Sequence, residues 1–592
     1  MKIFCSKLIC FCLCVCLFVS LFHPAQLRAQ ESATTEQSTL HVPVADYPMP
    51  IPPSYSCGNA PELSSIGVAV QGVISNTLLS RHTLCNRVTG DWIIDVPNVS
   101  PQTPATTAAD FYQSIANMLM ETEETFSLAT LWFRTHDERD ELNLVRHYLT
   151  PAIRTLHDNA PVDGPYPLLR FAYAGPPLGI GDLLFSVDSV DEVYADLTAA
   201  LPIPEEESWR VSIAVSYVGQ IISPPWNHSK IAVRDYRHAI VGGMNWDLDH
   251  VLPVDIDADG VYTDTVEQSG EQLTVHPLYD LSLRVEGEAA RATGLYFDQL
   301  WRRTISNLLP HRHQHCLVSW PLQASWTHDC SLENVPVYAT ANVTSTIEIS
   351  STHHIFSLGR GHTEWWTPID PSQKEFSADE ALLAAMNQTE TTLYISQHQL
   401  SGLGGAVEEV IDTIVAAIVD RDVQAKIIIS EPWGSTSAEP IEEIFALLDE
   451  RLHRYAQQQY GIGPPAQANR INDALCRFEV APFRAPLYSV EESANHLFHT
   501  HNKLIILDEM AFYVGSQNLY PSAIGDTIHP ELNEYGYLVD DQLLTQQLLS
   551  EYWTPIWQRS AEENRLMRSQ FLPAEWICNP LRLFLPLIAL TP

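Results

Sequence analysis

Two stretches far apart in this chain repeat one spacing of polar residues. The first runs Trp226-Asn227-His228-Ser229-Lys230-Ile231-Ala232-Val233-Arg234-Asp235 and continues to Gly242-Gly243-Met244-Asn245. The second runs His501-Asn502-Lys503-Leu504-Ile505-Ile506-Leu507-Asp508, then Gly515-Ser516-Gln517-Asn518. In both, lysine follows histidine by two residues, aspartate by seven, glycine by fourteen and asparagine by seventeen. The copies lie 273 residues apart. Agreement at five positions over that distance marks an internal duplication, so the chain must fold as two related units.

The spacing predicts a hairpin in each unit. Residues i and i+2 of a strand share a face, so His228 points the same way as Lys230, and His501 the same way as Lys503. The aspartate falls at the turn. Asn245 and Asn518 end the return strand, near the start of the outgoing one. The small residues Gly242, Gly243, Gly515 and Ser516 are expected to let a ligand approach the backbone. Each hairpin then offers an imidazole, a cation and an amide to one spot. The cations stand out because the chain has only six lysines (Lys2, Lys7, Lys230, Lys374, Lys426 and Lys503) and otherwise relies on arginine.

What precedes each motif also repeats. Phe126–Phe133, Leu168–Ala174 and Arg210–Val218 read as buried strands, with helical periodicity over Asp140–Leu156 and Glu192–Leu201 between them. In the second half Thr392–Ser396, Ala425–Ser430 and Arg477–Ala481 read as strands, separated by helices over Ala406–Val419 and Ile441–Gln458. The fold class is α/β, with two lobes related by a pseudo-two-fold and the site at their interface. The domain reading is a leader over 1–29, an N-terminal segment with the start of the first lobe over 30–109, a first lobe over 110–330 and a second over 331–592. Residues 30–60 are rich in Ser, Thr and Pro and read as loose. At 592 residues, 45% hydrophobic and 18% charged, the chain has ample apolar material for such cores.

Lys2 and Lys7 followed by the apolar run Leu8–Phe22 read as an export signal, with Ala25 and Ala29 near a cleavage point. The alternative is an uncleaved signal anchor. The expected location is secreted or periplasmic. The net charge is −39, and cleavage would remove three basic residues and no acid. Such a chain repels polyphosphate, which argues against nucleic acid as a partner. Six cysteines would remain after cleavage (Cys57, Cys85, Cys316, Cys330, Cys476, Cys578), and an even number in an exported protein favours disulfides. Proximity in sequence suggests Cys57–Cys85 and Cys316–Cys330, leaving Cys476–Cys578, with other pairings open. The apolar end Leu581–Leu590 reads as a docked tail.

The doubled constellation suits phosphodiester chemistry. One imidazole can attack phosphorus while the other protonates a leaving alcohol. Two lysines and two amides can hold the non-bridging oxygens as charge grows. This set requires no metal. On these residues the chain resembles the phospholipase D superfamily, defined by a duplicated HxKxxxxD motif followed by a small-residue pair and asparagine. The segments Trp226–Asn245 and His501–Pro521 are most similar to secreted bacterial phospholipases D, as is the stretch from His276-Pro277-Leu278-Tyr279-Asp280-Leu281 to Trp301.

The resemblance implies His228 as nucleophile through a phosphohistidine, and His501 as general acid and then activator of water or an alcohol. Lys230, Lys503, Asn245 and Asn518 would bind phosphate. Asp235 and Asp508 would support the fold. Asp280 and Glu534 match acids that orient the two histidines through their other ring nitrogen. The implied substrate is a glycerophospholipid such as phosphatidylcholine, met at a membrane or micelle surface by a monomer. The implied products are phosphatidic acid and the headgroup alcohol, with transphosphatidylation as a companion reaction. Rival readings are a nuclease or a cardiolipin synthase-like transferase of the same superfamily, or a non-catalytic lipid-binding member. Trp226, Trp246 and Tyr520 are candidates to contact a choline cation.

The acidic segment 251–275 departs from the family pattern. Its Asp255, Asp257 and Asp259 resemble the start of a calcium loop, but Val266 stands where a bidentate glutamate is needed, so a solvated loop is the competing reading. The histidines at 311, 313 and 315, and those at 496, 499 and 501, lack the partners of a typical zinc site.

Overall fold

The computed structural model describes residues 53–96, 109–133, 143–174, 189–202, 207–218, 226–246, 265–274, 278–305, 316–319, 346–362, 374–430, 441–461, 471–484, 499–525 and 532–564, with gaps of one or two residues inside some of these spans. They belong to one compact unit, Pro48–Pro592. The export signal, the proposed calcium loop, Cys330, Cys578, and the apolar C-terminal end lie outside the described residues.

Two ten-stranded sheets form the frame. In the first, Ser212–Tyr217, Leu168–Tyr173 and Thr125–Thr130 run parallel. Next comes the antiparallel hairpin Ile231–Arg234 and His238–Gly242, and then Leu278–Gly287. In the second, Phe478–Pro482, Gln424–Ile429 and Thr392–Gln397 run parallel. They are followed by the hairpin Lys503–Leu507 and Ala511–Gly515, and then Leu532–Asp540. The order and the directions agree strand for strand, so the duplication seen in the motifs extends through both sheets.

The central strands are buried on both faces, which is why they read as apolar runs rather than alternating ones. Phe126, Leu128, Phe171 and Ile213 pack with helices Ala109–Met120 and Thr150–Asn159 in the first lobe. Leu393, Ile395, Ile427 and Ile505 pack with Ser377–Asn387, Glu408–Asp420 and Ile441–Tyr460 in the second. Truncating a fully buried residue such as Ile505 to alanine costs about 2–5 kcal/mol.

The motif aspartates close the hairpin turns. Asp235 and Tyr236, and likewise Asp508 and Glu509, have positive φ between 52° and 56°. Aspartate tolerates that conformation better than most residues. Each carboxylate then ties its turn to the start of the neighbouring strand. Asp235 accepts from the backbone N–H groups of Glu123, Glu124 and Thr125 at 2.8–3.2 Å. Asp508 accepts from those of Glu390, Thr391 and Thr392 at 2.7–3.0 Å. Both aspartates therefore brace the scaffold.

Three features depart from a simple two-lobe division of the sequence. Ser54–Cys57, inside the stretch read as loose, is a strand paired with Thr346–Ile349. The N-terminal segment serves both sheets, since Ile93–Val96 pairs with Leu278–Gly287 while Arg81–Thr83 pairs with His354–His362. Helix Ser65–Ile74 buries Ile66, Val70 and Ile74 in the second lobe's core. Most consequentially, the lobes exchange short strands. Trp226–Asn227 pairs in parallel with Leu532–Asn533, and His499–Thr500 pairs in parallel with Leu278–Tyr279.

Cys57 and Cys85 form a disulfide with a Cα–Cα distance of 5.3 Å. Cys476 is also disulfide-bonded.

Candidate active site

The exchanged strands carry the site. The His228 backbone N–H donates to Asn533 O at 2.9 Å, and that of His501 to Tyr279 O at 2.7 Å. Each histidine is thus docked onto the other lobe's strand, one residue before an acid. The side chains follow the same crosswise pattern. His228 Nδ1 lies 2.9 Å from Glu534 Oε2, and His501 Nδ1 lies 2.7 Å from Asp280 Oδ2. A carboxylate accepting from Nδ1–H fixes the tautomer and leaves Nε2 to meet a substrate.

Two of the motif's small residues, Gly243 and Ser516, serve these acids. A Cβ at Gly243 would fall 2.1 Å from Asp280 Oδ1, and one at Gly242 2.1 Å from Ser282 Oγ. In the second copy Ser516 replaces Gly243, and its hydroxyl donates to Glu534 Oε2 at 2.5 Å. A Cβ at Gly515 would strike Tyr513 and Gly536. The expectation of close ligand approach is corrected accordingly: Gly243 makes room for Asp280, Ser516 binds Glu534, and Gly242 and Gly515 lie tight against the neighbouring strand residues Ser282 and Gly536.

Lys230 and Lys503 are buried, and each Nζ donates to the carbonyl of its own motif histidine, at 2.6 and 2.5 Å. Each lysine also feels Asp280 and Glu534. Burial, and then its partner lysine, push Lys230 well below the usual lysine range. Burial lowers Lys503 to about 8, with the two acids opposing that shift. His228 is pushed down by burial and then by the two lysines, so it is neutral near pH 7. Burial raises Glu534 to about 7, while Lys230 and the Ser516 hydrogen bond pull the other way. That charges from both lobes act on His228 and Lys503 shows that the two motifs share one electrostatic environment.

Asn245 and Asn518 are buried beside the motifs, and each side-chain Oδ1 has no hydrogen-bond partner. Asn518 Nδ2 donates to the Tyr520 hydroxyl at 2.9 Å. With the amide turned over, Tyr520 would donate to Oδ1 and free Nδ2 for an anion. Gln517, Asp379, Arg360 and the Gly525 backbone form a buried network that fixes the loop carrying Asn518.

Of the aromatic candidates, Trp246 is core. It packs edge-on against Tyr112 at 4.7 Å and is 1% exposed, so it cannot reach a headgroup. Tyr520 stays at the site through Asn518, and the Trp226 side chain lies outside the described residues. So do Asp255, Asp257, Asp259 and the histidines at 311, 313, 315 and 496. Among the described residues no cluster of three or more His, Cys, Asp or Glu side chains is arranged to hold a metal.

Two site neighbours were not singled out from the sequence. His398 packs edge-on against His501 with ring centroids 5.6 Å apart, and its Nδ1 lies 3.1 Å from Thr500 O. Gln397 precedes it in the strand and stands opposite Lys503 in register. Their signal was positional: polar residues at the carboxyl end of a parallel strand, where α/β sheets bind ligands.

Comparison with known proteins finds likeness to the phospholipase D superfamily. A phospholipase D from Streptomyces antibioticus is 26% identical to it over 369 residues, which cover 57% of this chain and 59% of that protein. The chain thus spans about three-fifths of the length of the curated relative it matches. No family model matches. Among solved structures, a phosphatidylserine synthase from Haemophilus influenzae Rd KW20 aligns at a TM-score of 0.45 and 12% identity, over 85% of this chain and 92% of the other. The phospholipase D family member Nuc from Salmonella typhimurium aligns at 0.19 and 15%, over 35% and 94%.

Proposed function

We propose that this protein is an exported phospholipase D that hydrolyses the distal phosphodiester of glycerophospholipids such as phosphatidylcholine and transfers the phosphatidyl group to alcohols. The observation that carries this reading is the crosswise pairing of His228 with Glu534 and of His501 with Asp280. It gives each imidazole an orienting acid and turns each Nε2 toward a partner other than the acid.

The two histidines differ in the way the chemistry demands. His228 is buried and neutral, as a nucleophile must be. Its Nε2 attacks phosphorus, the bond from phosphorus to the headgroup oxygen breaks, and His501 delivers a proton to the departing alkoxide. The phosphatidyl–His228 intermediate is then attacked by water or an alcohol. His501 takes the proton back and the P–N bond breaks. Asp280, which also accepts from the Leu281 N–H at 2.9 Å, stabilises the protonated His501 before the headgroup leaves and again once the incoming water or alcohol has lost its proton. Lys230, Lys503, Asn245 and Asn518 hold the equatorial oxygens.

The net charge of −39 disfavours a nucleic-acid substrate and tolerates a cationic headgroup. The basic, apolar N-terminal leader supports export. The test is release of choline from phosphatidylcholine by the wild type, His228→Ala and His501→Ala. The proposal requires loss of release in both variants. Release that survives both substitutions, or cleavage of DNA with no cleavage of lipid, would overturn it.

A further inference from the structure

The two lobes match closely enough that a mismatch beside the catalytic groups carries information. In the second lobe Leu393, Ile395 and Gln397 share one face of their strand, opposite Leu507, Ile505 and Lys503. The first two pairs belong to the hydrophobic core. The third is polar and stands at the end of the sheet that carries the site. In the first lobe the matching stripe is Phe126 and Leu128, opposite Arg234 and Ala232, followed by Thr130 at the end of its strand. There the hydroxyl is used within the protein, accepting from the Trp246 backbone N–H at 3.2 Å.

Gln397 is not used in that way. It is 0% exposed, and neither its Nε2 nor its Oε1 has a hydrogen-bond partner. A buried primary amide with both ends unmatched is a costly thing to keep inside a core. Methionine or leucine would fill the same space with no such cost. Its neighbours in register are Lys503 on one side and Ile429 on the other. Of these two neighbours only Lys503 is polar, and it belongs to the site.

We propose that Gln397 is a further substrate-binding residue, whose amide donates to a phosphate oxygen alongside Lys503. This rests on the reading of the site as a phosphodiester site. It gives the two lobes unequal roles, because the His501 side supplies an extra donor to the equatorial oxygens that the His228 side lacks.

The test uses the full-length protein and its Gln397→Met and Gln397→Glu variants. Three quantities are read: thermal stability, affinity for inorganic phosphate, and kcat/KM on phosphatidylcholine and phosphatidylglycerol of the same acyl chains. Methionine keeps the shape and removes the unmatched amide, so Tm should hold or rise by about 1–3 °C. Phosphate affinity should fall about tenfold, and kcat/KM about 10- to 100-fold on both lipids alike. Glutamate should be worse on both counts, because its carboxylate pairs with Lys503 and repels phosphate. Wild-type phosphate affinity in Gln397→Met overturns the proposal, as does a lowered Tm with unchanged affinity. A loss confined to one headgroup also overturns it, by placing the amide on the alcohol side. If the wild type cleaves neither lipid while phosphate binding still responds to Gln397→Met, the proposed function falls and the Gln397 contact stands.

Discussion

Replacing Glu534 by glutamine should move activity and stability in different directions. Two donors converge on one oxygen of this side chain: His228 Nδ1–H at 2.9 Å and the Ser516 hydroxyl at 2.5 Å. A glutamine Oε1 in that place keeps both hydrogen bonds but loses the charge. During attack His228 becomes cationic, and the carboxylate is what stabilises it. A hydrogen bond to a charged partner contributes about 1.5–3 kcal/mol. At about 1.4 kcal/mol per tenfold, kcat/KM should fall roughly 10- to 150-fold.

Stability follows from burial. The folded carboxyl titrates at about 7 against an ordinary 4.5. The folded state therefore holds a proton that the unfolded state has lost between those values. Stability declines as pH rises through that window, by about 3 kcal/mol in total. Glutamine abolishes that decline. It also leaves an Nε2 where Glu534 Oε1 is buried without a partner, at a cost of about 1–3 kcal/mol. The net change at pH 8 is then about zero to 2 kcal/mol of stabilisation, reversing to a net loss at pH 4. Denaturant titrations at both pH values, beside lipid hydrolysis at pH 8, check this. A variant with wild-type kcat/KM, or one destabilised by more than about 2 kcal/mol at pH 8, would refute the assignment of Glu534 as the acid that orients His228.

Other consequences follow from the same structure. Lys503, lowered to about 8 from 10.5, binds fewer protons folded than unfolded, so its contribution should make stability rise between about pH 8 and 10.5; a Lys503→Met variant should lack that rise. Asp235→Ala removes the acceptor for three backbone N–H groups and should cost about 2–4 kcal/mol in chemical denaturation. Opening the Cys57–Cys85 link, which closes a loop of 28 residues, should cost about 3.5 kcal/mol, read by comparing the wild type with Cys57→Ser/Cys85→Ser. Because the lobes exchange strands, residues 48–330 and 331–592 expressed separately should each fail to show a cooperative unfolding transition, and co-expression should restore it.

Much of the architecture was legible because it is written in local patterns. The buried strands and amphipathic helices follow from runs and periodicity. The strand expected over Arg477–Ala481, for example, is found at Phe478–Pro482. The hairpins follow from residue types two and seven apart, since strand alternation and turn chemistry act over a few residues. The crosswise pairing was not legible. Asp280 follows His228 in the chain, yet it binds His501, because two-residue parallel strands carry too little sequence to announce their partners. Gly243 looked like a door for ligand, and only the position of Asp280 shows what fills the missing Cβ. Trp246, a candidate on proximity to the motif, is claimed by Tyr112 and Phe133 in the core. Gln397 looked like an ordinary strand end, since an unmatched amide becomes visible only once its neighbours are placed.

The central claim is that His228 takes the phosphatidyl group while His501 manages the proton. It is tested most directly by acid-free quenching of the enzyme with phosphatidylcholine labelled in the phosphate, followed by peptide mapping. The account predicts a base-stable, acid-labile label on the peptide holding His228. That label should be absent from His228→Asn and should accumulate in His501→Asn, whose intermediate cannot be turned over efficiently. Label on His501 would reverse the two roles; no label, with inversion of configuration at phosphorus, would contradict the covalent route altogether.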